Sequence, residues 1–128
     1  MTVDRGLREV LTRTVGADDT ARALGSGDLA VLATPRLLGW FEAACVAAVE
    51  SSLAASETTV GTRVQVEHSR PSAEGATVRV TADLVHVDGR LLRFEVVAED
   101  EAGAVLGHGQ LTRVVVERER FLARLQRQ

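Results

Sequence analysis

A chain of 128 residues, 45% apolar and 26% charged, has material for one globular domain over 1–128 and none for a second. Its net charge is −3 and its fifteen basic residues, all arginine, are scattered singly, which excludes the basic patch that nucleic acid requires. Cys45 is the single cysteine, so an intrachain disulfide and a cysteine-based metal site are also excluded.

No stretch approaches the roughly 20 apolar residues of a membrane-spanning helix, and MTVDRGLREV lacks a basic start followed by an apolar run. The expectation is a soluble, unprocessed protein of the cytoplasm, with no nucleic-acid or membrane partner.

Leu7 to Val15 has strand-like β-branched content with loose alternation. Gly16-Ala17-Asp18-Asp19-Thr20 then supplies a turn and a cap for a short helix, which Gly25-Ser26-Gly27-Asp28 ends. Leu29 to Ala33 is a short apolar lead-in. At Thr34-Pro35 a capping hydroxyl precedes proline at the first helical position, where its missing N–H costs nothing. The spacing of Leu37, Leu38, Phe41, Cys45, Ala48 and Val49 predicts a buried helix from Thr34 to about Ser52.

From Thr59 the period changes to two. Val60, Thr62, Val64, Val66 and His68 fall on one face and Arg63, Gln65 and Glu67 on the other, until Arg70-Pro71 ends the segment. Thr77 to Val87 and Arg90 to Asp100 are joined by Asp88-Gly89, which predicts a tight hairpin turn with both residues at positive φ. A turn at Glu101-Ala102-Gly103 leads to a strand over Ala104 to Glu117 and a short helix around Glu119 to Leu125. The order predicts an α+β domain, an antiparallel sheet of about five strands wrapped around one long helix.

Three residues stand out against this core. Glu42 lies four residues after Leu38 and three before Cys45, inside the apolar stripe of the helix, where an unpaired charge costs several kcal/mol. It either sits at the edge of the stripe and reaches water, or it has a partner or a ligand. The phase of His68 turns its imidazole toward the same helix, and a histidine beside a carboxylate is the minimal apparatus for acid–base chemistry near neutral pH. Thr34 by itself reads as a helix cap.

The other candidates carry less. His86 lies beside the hairpin turn, where exposure is ordinary, and His108 between Gly107 and Gly109 marks a close approach of backbone or a bulge. Cys45, mid-helix without a motif, reads as a small buried hydrophobe. No phosphate loop, dinucleotide fingerprint, serine-hydrolase elbow or zinc-protease pair is present. The three histidines have no spacing that suits a metal.

Thr34-Pro35-Arg36-Leu37-Leu38, Glu42-Ala43-Ala44-Cys45 and Gly61-Thr62-Arg63-Val64-Gln65-Val66-Glu67-His68 together resemble the fluoroacetyl-CoA thioesterase-like family of hot-dog proteins, over nearly the whole chain. The resemblance implies a hot-dog fold, hydrolysis of an acyl-CoA thioester, and a catalytic set of Thr34, Glu42 and His68. Both family intervals, eight residues from Thr to Glu and twenty-six from Glu to His, are kept. It also implies that the Gly61 N–H meets the thioester oxygen, that coenzyme A enters only as part of the substrate, and that the protein is a homodimer.

Two departures from the family pattern are visible. The phenylalanine-rich lid that precedes the threonine in the specialised enzymes is missing, since Gly25 to Ala33 contains no aromatic residue. Where many members read Thr-His-Glu-Arg, this chain has Gln110-Leu111-Thr112-Arg113.

Within such a site His68 is the base, Glu42 either orients the imidazole or attacks the carbonyl, and Thr34 either holds water or is itself the nucleophile. Eight residues of helix separate Thr34 and Glu42 by roughly 12 Å. The set therefore needs His68 as a bridge, a bent helix start, or a contribution across a two-fold axis. A hot-dog hydratase or dehydratase, and a non-catalytic acyl-CoA binding module, are the alternatives.

Overall fold

A computed structural model describes residues 3–126, and residues 1, 2, 127 and 128 lie outside it. Five strands, β1 (Arg8–Thr14), β2 (Glu57–His68), β3 (Thr77–Asp88), β4 (Leu91–Glu99) and β5 (Val105–Glu117), form one sheet in the order β1-β3-β4-β5-β2. Every neighbouring pair is antiparallel. The helices are α1 (Ala21–Leu24), α2 (Thr34–Val49) and α3 (Arg118–Leu125). No helix among the described residues is long and apolar enough to cross a membrane.

The long helix α2 lies across the sheet with Leu37, Phe41, Ala44 and Cys45 fully buried, and packs mainly on β1 and β3. Each fully buried Leu or Phe adds about 1.5–3 kcal/mol, which makes this face the main source of stability. The helix is off-centre, so the β2 side of the sheet is thinly covered. Val46 on the helix and Val64 on β2 remain 36% and 42% exposed there, although both are apolar.

The structure modifies four expectations. The α-helix stops at Val49, and Glu50–Ser52 continue as a 3-10 turn. Ala33 is its N-cap and no side chain caps it, because the Thr34 hydroxyl is engaged elsewhere. The hairpin register pairs Asp88 with Leu91, so the turn residues are Gly89 and Arg90. Only Gly89 has positive φ, at 60°, which is the pattern of a turn with glycine at its first central position.

The fourth change matters most for the site. In β2 the register shifts between Gly61 and Arg63, leaving Thr62 as an extra residue outside the ladder. Thr59 and Gly61 therefore share the helix-facing side with Val64, Val66 and His68, whereas Val60 pairs with Val114 on the outer side. A regular strand running on from an inward Gly61 would have sent His68 outward and Arg63 inward.

Gly107 and Gly109 let β2 and β5 approach closely, while His108 between them is exposed and meets Glu67 at 3.2 Å; the bulge in this region falls at Leu106 instead. A Cβ at Gly109 would collide with the Gln65 carbonyl and stand 2.8 Å from Val66 Cα, both of them backbone. Gly109→Ala is accordingly expected to lower stability by about 3 kcal/mol, read as a drop in the urea midpoint.

Candidate active site

One half of the site lies where the first turn of α2 meets the end of β2. Thr34 Oγ1 and His68 Nδ1 are 2.8 Å apart. The imidazole is half-buried, and its Nε2 is shielded from solvent without a hydrogen-bond partner. That burial pushes the His68 pKa below its ordinary 6.5, against a smaller upward pull from the Arg70 backbone. The ring is therefore neutral at pH 7 and can take up a proton.

An open groove of about 370 Å3 runs from this pair. Gly27, Asp28, Leu29 and Val31 form one wall, Ser69 and Arg70 the other, and no aromatic residue lines it.

The other half lies on the middle of α2 and the bulged part of β2. Glu42 Oε2 accepts a hydrogen bond from Arg113 Nη1 at 3.1 Å. Arg113 is 6% exposed, and its guanidinium is fixed by Nε donating to Thr59 Oγ1 at 2.9 Å and Nη2 donating to the Thr59 carbonyl at 3.0 Å. Gly61 faces this pair closely enough that a Cβ would stand 2.9 Å from Glu42 Oε2 and 3.2 Å from Arg113 Nη1. Glycine is the residue that leaves room there.

The structure thus joins Thr34 to His68 and Glu42 to Gly61, but it does not join the two halves within one chain. Glu42 is half-buried at the edge of the helix stripe and answers its charge with Arg113 rather than with the imidazole. Six rungs of strand at about 3.3 Å separate Gly61 from His68, on the order of 20 Å.

Arg113 was the residue hardest to see. Its signal is a charge in the apolar phase of β5, between the inward-facing Leu111 and Val115. Cys45, one turn beyond Glu42, is not a nucleophile. Burial pushes its thiol up to about 12, with Arg113 pulling down and Glu42 pushing up by less. Among the described residues no three His, Cys, Asp or Glu side chains converge as a metal would need.

The family model described as fluoroacetyl-CoA-specific thioesterase (FlK) matches residues 15–119. A fluoroacetyl-CoA thioesterase of Streptantibioticus cattleyicolor is 38% identical over 95 residues, which are 74% of this chain and 68% of that protein. A crystal structure of the fluoroacetyl-CoA thioesterase FlK superposes with a TM-score of 0.91 at 31% identity, covering 100% of this chain and 98% of that one. A mutant of that enzyme in complex with fluoroacetate and CoA gives 0.86 at 33% identity, covering 93% and 99%. A Thermus thermophilus protein of the thioesterase superfamily, at 24% identity and a TM-score of 0.90 over 98% and 93%, shares the fold. The five-stranded sheet around one long helix is the hot-dog fold.

Proposed function

The chain belongs to the fluoroacetyl-CoA-specific thioesterase family and hydrolyses acyl-CoA thioesters, and from that premise we propose a composite site at a homodimer seam. Thr34 and His68 of one protomer work there with the partner's Glu42 and the partner's Gly61. His68 Nδ1 draws the proton from the Thr34 hydroxyl, or from a water that it holds, and the freed oxygen attacks the thioester carbonyl. The partner's Gly61 N–H stabilises the oxyanion, the C–S bond breaks, and the CoA sulfur leaves as a thiol with the proton held by the His68 imidazolium; where Thr34 is the nucleophile, a water activated by His68 then hydrolyses the acyl-Thr34 ester to the free acid. The partner's Glu42, held by the partner's Arg113, places a carboxylate where imidazolium develops.

The observation that carries this reading is the bulged, open edge of β2. It is a twelve-residue edge strand with apolar residues exposed on its inner face, the kind of edge that soluble proteins cover. With Thr62 outside the ladder, Gly61, Arg63, Val64, Gln65, Val66, Glu67 and His68 are seven consecutive rungs with Gln65 in the middle.

An antiparallel pairing of two copies about Gln65 matches every face. Val64 meets the partner's Val66, Arg63 meets the partner's Glu67 with opposite charge, and His68 lands beside the partner's Gly61. Arg63→Glu is then expected to shift sedimentation equilibrium toward monomer by setting like charges face to face, and adding Glu67→Arg to the same chain to restore the dimer. A double variant as monomeric as the single one would reject this register.

The groove beside His68 is assigned to the acyl group. The Streptantibioticus cattleyicolor relative and the enzyme FlK are fluoroacetyl-CoA thioesterases. Here the open, aromatic-free walls support acyl groups larger than two carbons, free of a fluoroacetyl preference. A cytoplasmic site of action fits the one buried, free cysteine.

Complementation tests the whole. Thiol release is measured over acyl-CoA esters from acetyl to long-chain and aryl, with His68→Ala, Glu42→Ala and their mixture. In a composite site each mixed dimer keeps one intact site of two, so random mixing of two inactive variants restores about a quarter of wild-type activity. A mixture as inactive as its parts would place the site within one chain. No release by wild type from any ester would remove the hydrolase reading.

A further inference from the structure

Residues 16–33 leave the sheet after β1 and return to the start of α2 as a closed excursion, and their tip, Ser26 to Leu32, forms one wall of the groove. The two legs are stitched by Ala21 N–H donating to the Val31 carbonyl at 2.8 Å and by a bridge between Thr20 and Leu32. At the neck, four contacts converge on two adjacent residues. The Ala33 N–H donates to the Asp19 carbonyl at 2.9 Å, and the Gly16 N–H donates to Asp19 Oδ2 at 2.8 Å. Arg36 Nε is ion-paired with Asp19 Oδ1 at 3.0 Å, and Arg36 Nη2 donates to the Asp18 carbonyl at 3.3 Å.

Thr34 lies between Ala33 and Arg36, both of which Asp19 holds. Pro35 marks where the helix begins, but the helix has no side-chain cap of its own, so no side-chain cap ties its first turn to the rest of the fold. Asp19 supplies what the cap does not. Its carboxylate ties the helix start, through Arg36, to the end of β1, and its backbone carbonyl fixes the residue preceding Thr34.

We propose that Asp19 and Arg36 are positioning residues for the hydrolysis, a carboxylate–guanidinium clamp that sets the first turn of α2 so that Thr34 Oγ1 meets His68 Nδ1. The proposal rests on the reading of Thr34 and His68 as the reacting pair. A clamp that only stabilised the excursion would alter the folded fraction and leave the imidazole untouched. A clamp that positions Thr34 alters the hydrogen bond to His68, and that bond is readable without any turnover.

The test combines turnover with an NMR titration of the His68 ring in wild type, Asp19→Asn, Arg36→Lys, Thr34→Ala and the Asp19→Asn/Thr34→Ala double variant. Asp19→Asn keeps an acceptor for Gly16 and loses the charge pair. It is expected to lower kcat by about 10–100-fold with KM within about twofold, the scale of a reacting group displaced by on the order of 1 Å. The His68 titration should move up, because a hydroxyl donating to Nδ1 favours the neutral ring and its loss does not, while burial still holds it below 6.5.

In the Thr34→Ala background Asp19→Asn should move the His68 titration no further, since the bond it acts through is already gone. Arg36→Lys keeps the charge without the second contact to Asp18, and should fall between wild type and Asp19→Asn; it carries the same test should Asp19→Asn fail to fold. An unchanged kcat in folded Asp19→Asn, or a reduced kcat with the His68 titration unmoved, would overturn the proposal. A wild-type level of turnover in Thr34→Ala would instead overturn the reading beneath it.

Discussion

A His68→Ala protein is expected to bind acyl-CoA as tightly as wild type and to hydrolyse it about 100–10,000 times more slowly, the range that general-base catalysis supplies. His68 Nδ1 is 2.8 Å from the Thr34 hydroxyl, and among the described residues no other side chain hydrogen-bonds that hydroxyl as a base could. The loss should appear in kcat, because the imidazole matters only once the proton moves, while the groove walls that bind substrate are left intact.

The pH profile carries the same signature. Burial holds the His68 pKa below 6.5, so wild-type kcat/KM should stay level from pH 8 down past 6.5 before its acid limb begins. The residual activity of His68→Ala should lack that limb. A wild-type limb well above 6.5 would mean that another group is the base. Folded His68 also takes its proton less readily than unfolded His68. Its share of the stability is therefore complete above the unfolded value near 6.5 and declines as pH falls through and below it.

Arg113→Ala is expected to be the most damaging single change to the second half of the site. It removes three hydrogen bonds at once and leaves the buried Thr59 hydroxyl and carbonyl, together with Glu42, without partners. A fully buried broken pair costs about 3–5 kcal/mol, but the Glu42 side chain is 39% exposed and water screens part of the loss, so about 2–3 kcal/mol is expected. Denaturant unfolding measures it.

Glu42→Gln separates stability from chemistry, because the amide still accepts from Arg113 but brings no charge. Its unfolding midpoint should lie near that of wild type while turnover falls. Equal destabilisation by Glu42→Gln and Arg113→Ala would mean that charge, rather than hydrogen bonding, holds this corner together.

Sequence patterning made most of the scaffold visible. The 3.6-residue recurrence of Leu37, Phe41, Cys45 and Ala48 located α2 because that face is buried outright, and the period-two runs around Asp88-Gly89 located β3 and β4. The matched intervals singled out Thr34 and His68, which the fold brings to 2.8 Å, and Glu42, which it pairs with Arg113 instead.

What stayed hidden was tertiary. Thr34 has the residue type of a cap, and only the approach of β2 turns its hydroxyl to an imidazole thirty-four residues away. Arg113 shows in the sequence only as a charge in the apolar phase of β5, and its partners Thr59 and Glu42 come from distant parts of the chain. The turn slipped by one residue because Gly89 alone takes positive φ, so a type with Asp88 in the left-handed region was not needed.

The extra residue at Thr62 has an implication for the parity of the chain. Gly61 and His68 are seven positions apart, an odd number, and in an unbroken strand an odd number places two side chains on opposite faces. Both face α2 here only because one residue between them is not counted. Deleting Thr62 would make the spacing even and leave both residues facing inward on a regular strand. A one-residue insertion or deletion between Arg63 and Glu67 would instead turn one of them to the outside. This stretch of the chain can therefore vary in residue type more freely than in length.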